Sequence, residues 1–447
     1  MYMSKFVLPL KLHTNHVVLF STLSKAVVKV DGETYRAIES RSWDDISLDS
    51  VDCLEKMGLV VKSLKNESIA FVNAATNKSK NADNHFNLHL LATTACNFRC
   101  SYCFQNGIEH QALKTDDIDA MLDPIEKYLC EQKIQTLSLV LYGGEPTLNW
   151  NFTMEFIANL TSRLGAHNIK YDTQIITNGY ALSDEKLSFL SLHNCKKIQI
   201  TLDGCRDMHD SRRRHNDGKP TFDKIIENIR TALNKNYIKK VSIRLNYDKE
   251  NIDSQIELLD YLAQEFDVSR IHIALGCVTS DHAQQAGDEG NELSSTVYTH
   301  DDILENDNHV RAYISLYIHA KRLGFSMRKF YTINGICIAK RNHSVLLCSD
   351  GNYYKCGGLV GRINHSVGEV GNELVPYSYH KSALYDECFS KECEMMPLCH
   401  AGCRLDAFYR TGALDGRDCK YNLVKNINLE LLKINYDDAT DLDSKRL

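Results

Sequence analysis

From residue 85 onward, apolar runs that are typical of strands alternate with helical stretches. The strand candidates are FNLHLLATTA, TLSLVLYGGE, KYDTQIITNG, KKIQITLDG, KKVSIRLNYD and SRIHIALG. Helical stretches at 114–133 and 150–165, with others between most of the later runs, separate them. Repeated strand–helix units predict a parallel sheet that is buried on both faces. Six strands are too few for a complete eight-stranded barrel, so we expect an α/β fold built as a partial (β/α)6 barrel.

The first eighty residues follow a different pattern. NHVVLFSTLSKAVVKV contains two short β-rich runs around a polar turn, and DGETYRAIES predicts a helix with Asp31 or Gly32 near its N-cap. SLDSVDCLEKMGLVV predicts a second helix that ends at Gly58 before a strand. The polar, aperiodic NAATNKSKNADN at 73–84 predicts a linker. We therefore expect a small α+β domain at 1–82, a barrel core at 83–325 and, where the strand–helix rhythm stops, a cysteine-rich domain at 326–447.

Composition is that of an ordinary globular chain. Of 447 residues, 43% are hydrophobic and 25% are charged, which argues against a disordered, collagen-like or coiled-coil protein. No run of eighteen apolar residues predicts a membrane span, and MYMSKFVLPLKLHTNH lacks the apolar stretch of a signal peptide. We therefore expect a cytoplasmic protein without a membrane partner. The net charge of −6 gives no reason to expect a nucleic-acid partner.

The cysteines depart from this ordinary picture. There are 16, with three between residues 96 and 103 and eight between 337 and 419. Because the cytosol keeps thiols reduced, such clusters indicate metal or iron–sulfur ligands rather than disulfides. The other five are scattered, and we expect them to serve packing only; they are Cys53, Cys130, Cys195, Cys205 and Cys277.

The first cluster follows the first barrel strand directly. TTACNFRCSYCFQ places Cys96, Cys100 and Cys103 in a C-x3-C-x2-C arrangement. Three thiolates can hold three irons of a [4Fe–4S] cube and leave the fourth iron open, and an open position is what a catalytic metal site needs. A chelating amino acid could fill that position. The alternative is a zinc site with a distant fourth ligand.

This triplet resembles the motif of the radical S-adenosylmethionine (radical SAM) superfamily, including the aromatic Tyr102 before the last cysteine. Further motifs agree with the resemblance: YGGEP, TNG at the third strand end, and TLDGCRDMHDSRR, which is similar to a stretch of anaerobic sulfatase maturases and peptide-modifying members. The resemblance implies that the following residues bind S-adenosylmethionine: Tyr102, Gly143, Gly144, Glu145, Asn178, Thr201, Arg213 and Leu275. Arg213 would bind the carboxylate of the cofactor, and the glycines would let the backbone approach it. Taken singly, the glycines also suit a strand-end turn, SRRR a solvated loop and Tyr102 a core residue.

The resemblance also implies a chemistry. A reduced cluster, supplied by a donor such as flavodoxin or ferredoxin, splits the bound sulfonium by one electron. The resulting 5′-deoxyadenosyl radical abstracts hydrogen from unactivated carbon, and the protein contributes placement and exclusion of water.

The C-terminal cysteines resemble the seven-cysteine SPASM domain. Cys337, Gly351 and Cys356 fit its first half, and Cys388-x4-Cys393-x5-Cys399-x3-Cys403 fits its second half with the first spacing expanded by two. The resemblance implies two auxiliary [4Fe–4S] clusters, and therefore three in all. One would use Cys337, Cys356 and Cys403, and the other Cys388, Cys393, Cys399 and Cys419. Cys348 is additional and could complete the first set; otherwise that cluster has an open iron that could bind a substrate thiolate. The alternative is a pair of zinc sites.

The N-terminal unit resembles the winged-helix-like leader-recognition elements of ribosomal-peptide maturases, which add a precursor's leader as an edge strand; the alternative is a structural cap on the barrel. Together these resemblances imply an enzyme that cross-links a precursor peptide, with a thioether from Cys to carbon favoured. A carbon–carbon or ether cyclase and a sulfatase-type maturase are alternatives. Sulfatase maturases carry an Asp after the cysteine equivalent to Cys356, where this chain has Gly357. A non-catalytic metal-binding module that presents a peptide is the alternative from another class. The precursor, the bond formed and any catalytic base stay open.

Overall fold

The protein is described by a computed structural model over residues 1–65, 67–80, 84–279, 297–299, 302–303, 307–333, 337–379 and 382–437; residues 74–80 and 382 are described by backbone alone. The N-terminal unit contains strands and then helices, as predicted. Its elements are β1 (Tyr2–Met3), β2 (Val7–Lys11), β3 (His16–Ser21), β4 (Val27–Asp31), α1 (Gly32–Ser40), α2 (Leu48–Lys56), β5 (Val60–Val61) and α3 (Glu67–Lys80). Strands β2, β3 and β4 form an antiparallel sheet in that order, so β4 is an edge.

Local signals in this unit work as the sequence predicts. The Asp31 carboxylate caps α1 by accepting hydrogen bonds from the backbone N–H groups of Glu33 (2.9 Å) and Thr34 (2.8 Å). Gly58, at φ 69°, lies after the end of α2 in the left-handed region.

The predicted linker at 73–84 is wrong over its first eight residues. Helix α3 continues through them to Lys80, while 81–83 lie outside the described residues. The stretch contains no Gly or Pro, so a helix that starts at Glu67 can propagate through it although it is polar. The start is held by tertiary contacts, because the Phe71 ring lies 5.6 Å from that of Phe6 and 6.0 Å from that of Tyr385.

The barrel region begins after this helix. Its strands are β6 (His85–Leu91), β7 (Phe98–Cys100), β8 (Thr136–Tyr142), β9 (Lys170–Thr177), β10 (Cys195–Leu202), β11 (Arg213–His215), β12 (Val241–Tyr247) and β13 (Ile271–Cys277). Its helices are α4 (Ile118–Glu131), α5 (Trp150–Ala166), α6 (Asp184–Leu192), α7 (Arg206–Arg212), α8 (Phe222–Asn234) and α9 (Ile252–Glu265).

Six of these strands form a parallel sheet in the order β13-β12-β10-β9-β8-β6. They correspond to the six predicted runs, so the prediction of an α/β fold with a partial barrel is confirmed. Helices alternate with strands along the chain, and the apolar strand residues form the main core. The carboxyl ends of all six strands lie at the same edge, where the motif residues follow them.

The cysteine-rich segment shares the barrel's sheet. Its elements are α10 (Asp307–Arg322), β14 (Ser344–Cys348), β15 (Asn352–Tyr354), β16 (Gly368–Glu369), α11 (Asp386–Ser390), α12 (Met396–Cys399), α13 (Arg404–Thr411) and α14 (Tyr421–Tyr436). Strand β14 runs parallel to β6, and β15 and β16 add antiparallel strands beyond it. The region predicted as a separate domain therefore extends the barrel sheet to nine strands. Within the described ranges, none of the helices has the length and apolar character needed to cross a bilayer.

Candidate active site

The loop that carries the first three cysteines is closed on itself by side-chain hydroxyls. The Thr93 hydroxyl donates to the Gln111 carbonyl oxygen (2.8 Å), and the Thr94 hydroxyl donates to that of Glu109 (2.7 Å). The Ala95 N–H donates to the Thr93 hydroxyl oxygen (3.1 Å). These hydrogen bonds hold the segment just before Cys96 in place, so the loop that carries the thiols begins from an ordered backbone.

A second restraint on this loop comes from far along the chain. Strand β7, which ends at Cys100, pairs antiparallel with β11, so that Arg213 lies opposite Cys100. The Asn216 side-chain amide also donates to the Cys96 carbonyl oxygen (2.8 Å). The loop of the first motif and the arginine of the fourth strand's motif are therefore built as one unit.

Cys96, Cys100 and Cys103 line one cavity of about 370 Å³ at the carboxyl edge of the barrel. Of the other predicted binding residues, Tyr102, Gly143, Gly144, Asn178, Thr201 and Arg213 line the same cavity. Burial raises the pKa of the Cys96 thiol to about 11 and that of Cys100 to about 12. Burial also raises the pKa of Cys103. Thiols so placed ionise only beside a positively charged group, which suits ligands of an iron cluster.

The Gly-Gly pair after β8 packs against the cysteine loop itself. A Cβ atom on Gly144 would lie 2.2 Å from the Ala95 carbonyl oxygen and 2.4 Å from that of Thr94. The Gly144 N–H donates to the Thr93 carbonyl oxygen (3.1 Å). We predicted that these glycines let the backbone come close to the cofactor. They also let it come close to the loop that carries Cys96.

Glu145 is fully buried, and its carboxylate oxygens accept hydrogen bonds from protein donors. It accepts hydrogen bonds from the Thr147 hydroxyl (2.6 Å), the Thr177 hydroxyl (2.7 Å) and the Asn178 N–H (2.8 Å). Among the described residues that line the cavity, Glu145 is absent whereas Asn178 is present. Glu145 therefore ties the ends of β8 and β9 together and holds Asn178, whose side-chain amide faces the Cys96 thiol at 4.0 Å.

A buried charged network lies behind Arg213, and sequence reasoning missed most of it. Arg212 contacts the carboxylates of Asp203 (3.4 Å) and Asp248 (2.6 Å), both fully buried. Arg213 donates to the Tyr102 hydroxyl (2.7 Å) and lies 3.9 Å from Asp203. Asp203 belongs to the TLDG motif and Arg212 precedes Arg213, so both were adjacent to residues that we singled out; Asp248 has no local signal.

The surroundings of Arg213 suit the cofactor that the sequence motifs imply. The residue is 7% exposed and lines the cavity, and its Nε atom is buried without a hydrogen-bond partner among the described residues. An unpaired buried guanidinium nitrogen is costly, so the geometry suits an anionic group such as the carboxylate of S-adenosylmethionine. Across the described ranges, no three His, Cys, Asp or Glu side chains converge on one point as for a single ion. Ligands of a cube instead surround it, one thiolate to each iron.

The sixth strand contributes different residues from the one predicted. Leu275 belongs to β13 and is absent from the described lining, which contains Cys277 and Val278 instead. Arg244 and Asn246 of β12 join them, and the Asn246 amide donates to the Tyr102 hydroxyl (3.1 Å). Cys277, which we expected to serve packing only, thus lies in the cavity. Its place at a strand's carboxyl end is the signal that could have found it.

The predicted first auxiliary set is brought together in space. Burial raises the pKa of the Cys356 thiol, and the neighbouring Cys403 and Cys337 thiols raise it further. The backbone N–H of Cys403 donates to the buried Asp418 carboxylate (2.8 Å). A Cβ on Gly357 would lie 2.9 Å from the ring of Tyr142, which lines the main cavity, so this set adjoins the barrel mouth.

The predicted second auxiliary set surrounds a much smaller space. Its four cysteines line a cavity of about 20 Å³; they are Cys388, Cys393, Cys399 and Cys419. The Cys388 thiol donates a hydrogen bond to the Cys393 sulfur, and this bond together with burial raises the pKa of Cys388. These contacts bring the predicted ligands together, and their assignment to a cluster stays a prediction.

Cys348 has a different environment. It is fully buried at the end of β14, and burial and the neighbouring Asp350 carboxylate raise its pKa to about 12. Cys337 and Cys356 pack partly buried in the same apolar cluster. The fourth-ligand role of Cys348 stays a prediction.

Comparison with known proteins agrees with this geometry. Residues 90–262 match the Radical SAM superfamily. A cysteine-type anaerobic sulfatase-maturating enzyme of Clostridium novyi is 25% identical over 339 residues, covering 70% of this chain and 86% of that enzyme. The radical SAM cyclopropyl synthase TigE of Paramaledivibacter caminithermalis is 27% identical over 309 residues, covering 61% of this chain and 62% of that enzyme.

Solved structures give the same fold. The structure of anSMEcpe with bound AdoMet and Kp18Cys peptide aligns with a TM-score of 0.56 at 19% identity, over 78% of this chain and 96% of that one. SuiB of Streptococcus suis bound to S-adenosylmethionine aligns with a TM-score of 0.50 at 15% identity, over 95% of this chain and all of that one. The chain thus contains a radical SAM domain over residues 90–262 and is an enzyme related to sulfatase maturases, and that domain implies a [4Fe–4S] cluster and S-adenosylmethionine. The alternative of a non-catalytic binding module is not retained, because the relatives are enzymes.

Proposed function

We propose that this radical SAM enzyme cross-links a ribosomally made precursor peptide, forming a thioether between a Cys thiol and a carbon. The observation that carries the proposal is the position of the first auxiliary set, Cys337, Cys356 and Cys403, beside the barrel mouth. Forming a thioether removes two hydrogen atoms from the peptide. One leaves by hydrogen abstraction, and the other leaves as a proton and an electron, so the reaction needs an electron acceptor near the cavity.

The chain's own residues bind and orient the reactants. When bound, the cluster and S-adenosylmethionine supply a 5′-deoxyadenosyl radical that abstracts hydrogen from carbon. Cys96, Cys100 and Cys103 would hold the cluster, and Arg213 would bind the cofactor carboxylate, with Tyr102 holding the guanidinium in place. In this proposal the walls of the cavity would exclude water from the reacting groups.

The two auxiliary sets would hold two further [4Fe–4S] clusters in a SPASM domain, giving three clusters with the first. Their electrons would arrive from or leave to a small donor such as flavodoxin or ferredoxin. Support comes from the two cysteine groups, each of which the fold gathers from sequence-distant segments.

The N-terminal unit would hold the leader of the precursor. Its sheet ends in the edge strand β4, whose residues Lys29 and Asp31 are exposed, and a peptide could add there as a further strand. The solved anSMEcpe structure contains a bound peptide, which supports a peptide substrate for a chain of this fold.

A carbon–carbon bond is the second candidate product, because the relative TigE is a cyclopropyl synthase. Sulfatase-type maturation is also compatible with the relatives. Gly357, which lies beside Tyr142, argues against sulfatase-type maturation, because the resemblance expects an acidic base at this position.

Mass spectrometry of a co-expressed precursor tests the proposal. We expect loss of two hydrogen atoms per link and loss of one alkylatable thiol for each thioether. The matched control is the enzyme with Cys96, Cys100 and Cys103 all replaced by Ala, which should leave the peptide mass unchanged. The same mass loss with every thiol still alkylatable would favour the carbon–carbon or ether product, and loss of sulfur would indicate formylglycine.

A further inference from the structure

Between the two auxiliary cysteine sets lies a turn with an unusual backbone. His400, Ala401 and Gly402 have φ values of 51°, 60° and 79°, so three successive residues are left-handed. The turn separates Cys399, of the second set, from Cys403, of the first set. Two of its residues carry side chains that disfavour this conformation, so something must stabilise it.

Two buried cations bind the three carbonyl oxygens of this turn. The Lys340 ammonium donates to the carbonyl oxygens of His400 (2.7 Å) and Gly402. The Arg404 guanidinium donates to that of Ala401, and to that of Gly416 (2.7 Å). Lys340 and Arg404 are each 1% exposed. Each of the three carbonyl oxygens of this turn therefore accepts a hydrogen bond from a cationic side chain.

Lys340 is within electrostatic reach of thiols from both sets. Burial lowers the pKa of Lys340, whereas the Cys337, Cys399 and Cys403 thiols raise it and Arg404 lowers it. The nearby Lys420 differs, because it is paired with the carboxylates of Asp406 and Asp418. The described contacts of Lys340 are carbonyl oxygens, so no carboxylate among them neutralises its charge.

We infer that Lys340 is a positioning residue that fixes the turn between the two auxiliary sites and places a positive charge between them, which makes both sites better electron acceptors. The inference rests on the proposed function, because it takes the two sets to hold iron–sulfur clusters. A cluster bound by thiolates gains negative charge on reduction, and a cation in the same low-dielectric interior stabilises the reduced form. Removing that cation therefore makes reduction of both sites less favourable.

The test uses the full-length chain in which Cys96, Cys100 and Cys103 are replaced by Ala, so that only the auxiliary sites hold iron. Redox titration followed by electron paramagnetic resonance compares this parent with its Lys340→Gln and Lys340→Arg variants, and iron is counted in each. We expect Lys340→Gln to reduce the one-electron reduction equilibrium constant about tenfold at both sites, and Lys340→Arg to stay near the parent. The matched control is Lys186→Met. Lys186 also donates to two carbonyl oxygens, those of Thr147 (3.0 Å) and Ala181 (3.1 Å), but in the barrel, so its loss should leave both constants unchanged.

Each outcome decides the inference. Unchanged equilibrium constants in Lys340→Gln at full iron content would overturn it. If Lys340→Gln loses auxiliary iron while Lys340→Arg keeps it, the charge on the turn is needed and the inference stands; if both variants lose iron, the shape of lysine rather than its charge matters and the inference is wrong. Failure of the proposed function is seen separately, as a parent that holds no auxiliary iron or as a peptide that is not cross-linked.

Discussion

The barrel cavity and the auxiliary region both hold cysteines, but they hold them differently. The first three cysteines come from one eight-residue loop and open into a cavity of about 370 Å³. The auxiliary cysteines come from segments spread over residues 337–419, and the second set surrounds only about 20 Å³. A site that must accept a ligand keeps space and an unpaired donor, here the Nε atom of Arg213. A site that stores or passes an electron can be closed, because nothing needs to enter it.

The largest effect should follow from removing the open set. Replacing Cys96, Cys100 and Cys103 together with Ala should abolish formation of 5′-deoxyadenosine and remove about four irons per chain, because a cube that loses all three of its thiolates is no longer held. The measurements are chromatography of the nucleoside under reductant and iron analysis. Retention of nucleoside formation in this variant would show that the cavity with these three cysteines is not the site of cofactor cleavage.

Gly144→Ala should act on the same site while leaving its three cysteines in place. The new methyl would lie 2.2 Å from the Ala95 carbonyl oxygen, so the loop before Cys96 must move. A shift of about 1 Å typically costs about 10²-fold in rate, and we expect that loss in 5′-deoxyadenosine formation. Gly165→Ala is the control, since its added methyl meets nothing within 4 Å; equal rates for both variants would show that the close approach is unimportant.

Asp203→Asn should destabilise the protein and weaken cofactor binding. Asp203 is fully buried beside Arg212 and Arg213, and although Arg212 keeps its pairing with Asp248, loss of the Asp203 charge leaves the buried Arg213 without its carboxylate partner, which costs about 3 kcal/mol. Urea unfolding and the KM for S-adenosylmethionine measure the two effects. Asp217→Asn, which alters an exposed ion pair with Lys219, should change neither.

The smallest effect on cofactor cleavage should come from the closed set. Cys388→Ser should remove about four irons, since a cube needs its four thiolates, yet leave 5′-deoxyadenosine formation close to normal while the peptide product is lost. Cys130→Ser, at an exposed cysteine, is the control for iron content. A parallel loss of cofactor cleavage in Cys388→Ser would show that the two regions are not separable.

The sequence predicted the barrel well because its signals are local. Strands buried on both faces give continuous apolar runs such as TLSLVLY, and parallel strands bring their carboxyl ends to one edge. Thr201, Asn178 and Arg213 therefore meet although they lie far apart in the chain. The Asp31 cap and the turn at Gly58 are likewise short-range signals.

What could not be predicted depends on distant partners. Three-residue strands carry no periodic pattern, so the pairing of β7 with β11 has no sequence signal. The same holds for Lys340, whose carbonyl partners lie about sixty residues away. The helix at 73–80 was missed because its polar composition masked an uninterrupted stretch without breakers.

The pairing of β7 with β11 sets an order in time for the newly made chain. When the ribosome has completed Cys103, the strand that must lie against Cys100 has not yet been synthesised. The Lys340 contacts form still later, because Gly402 must be synthesised before its carbonyl oxygen can accept a hydrogen bond. We therefore expect iron to enter after translation has passed each of these points, so that a stalled or truncated chain presents loose thiols to the cell rather than a cofactor site.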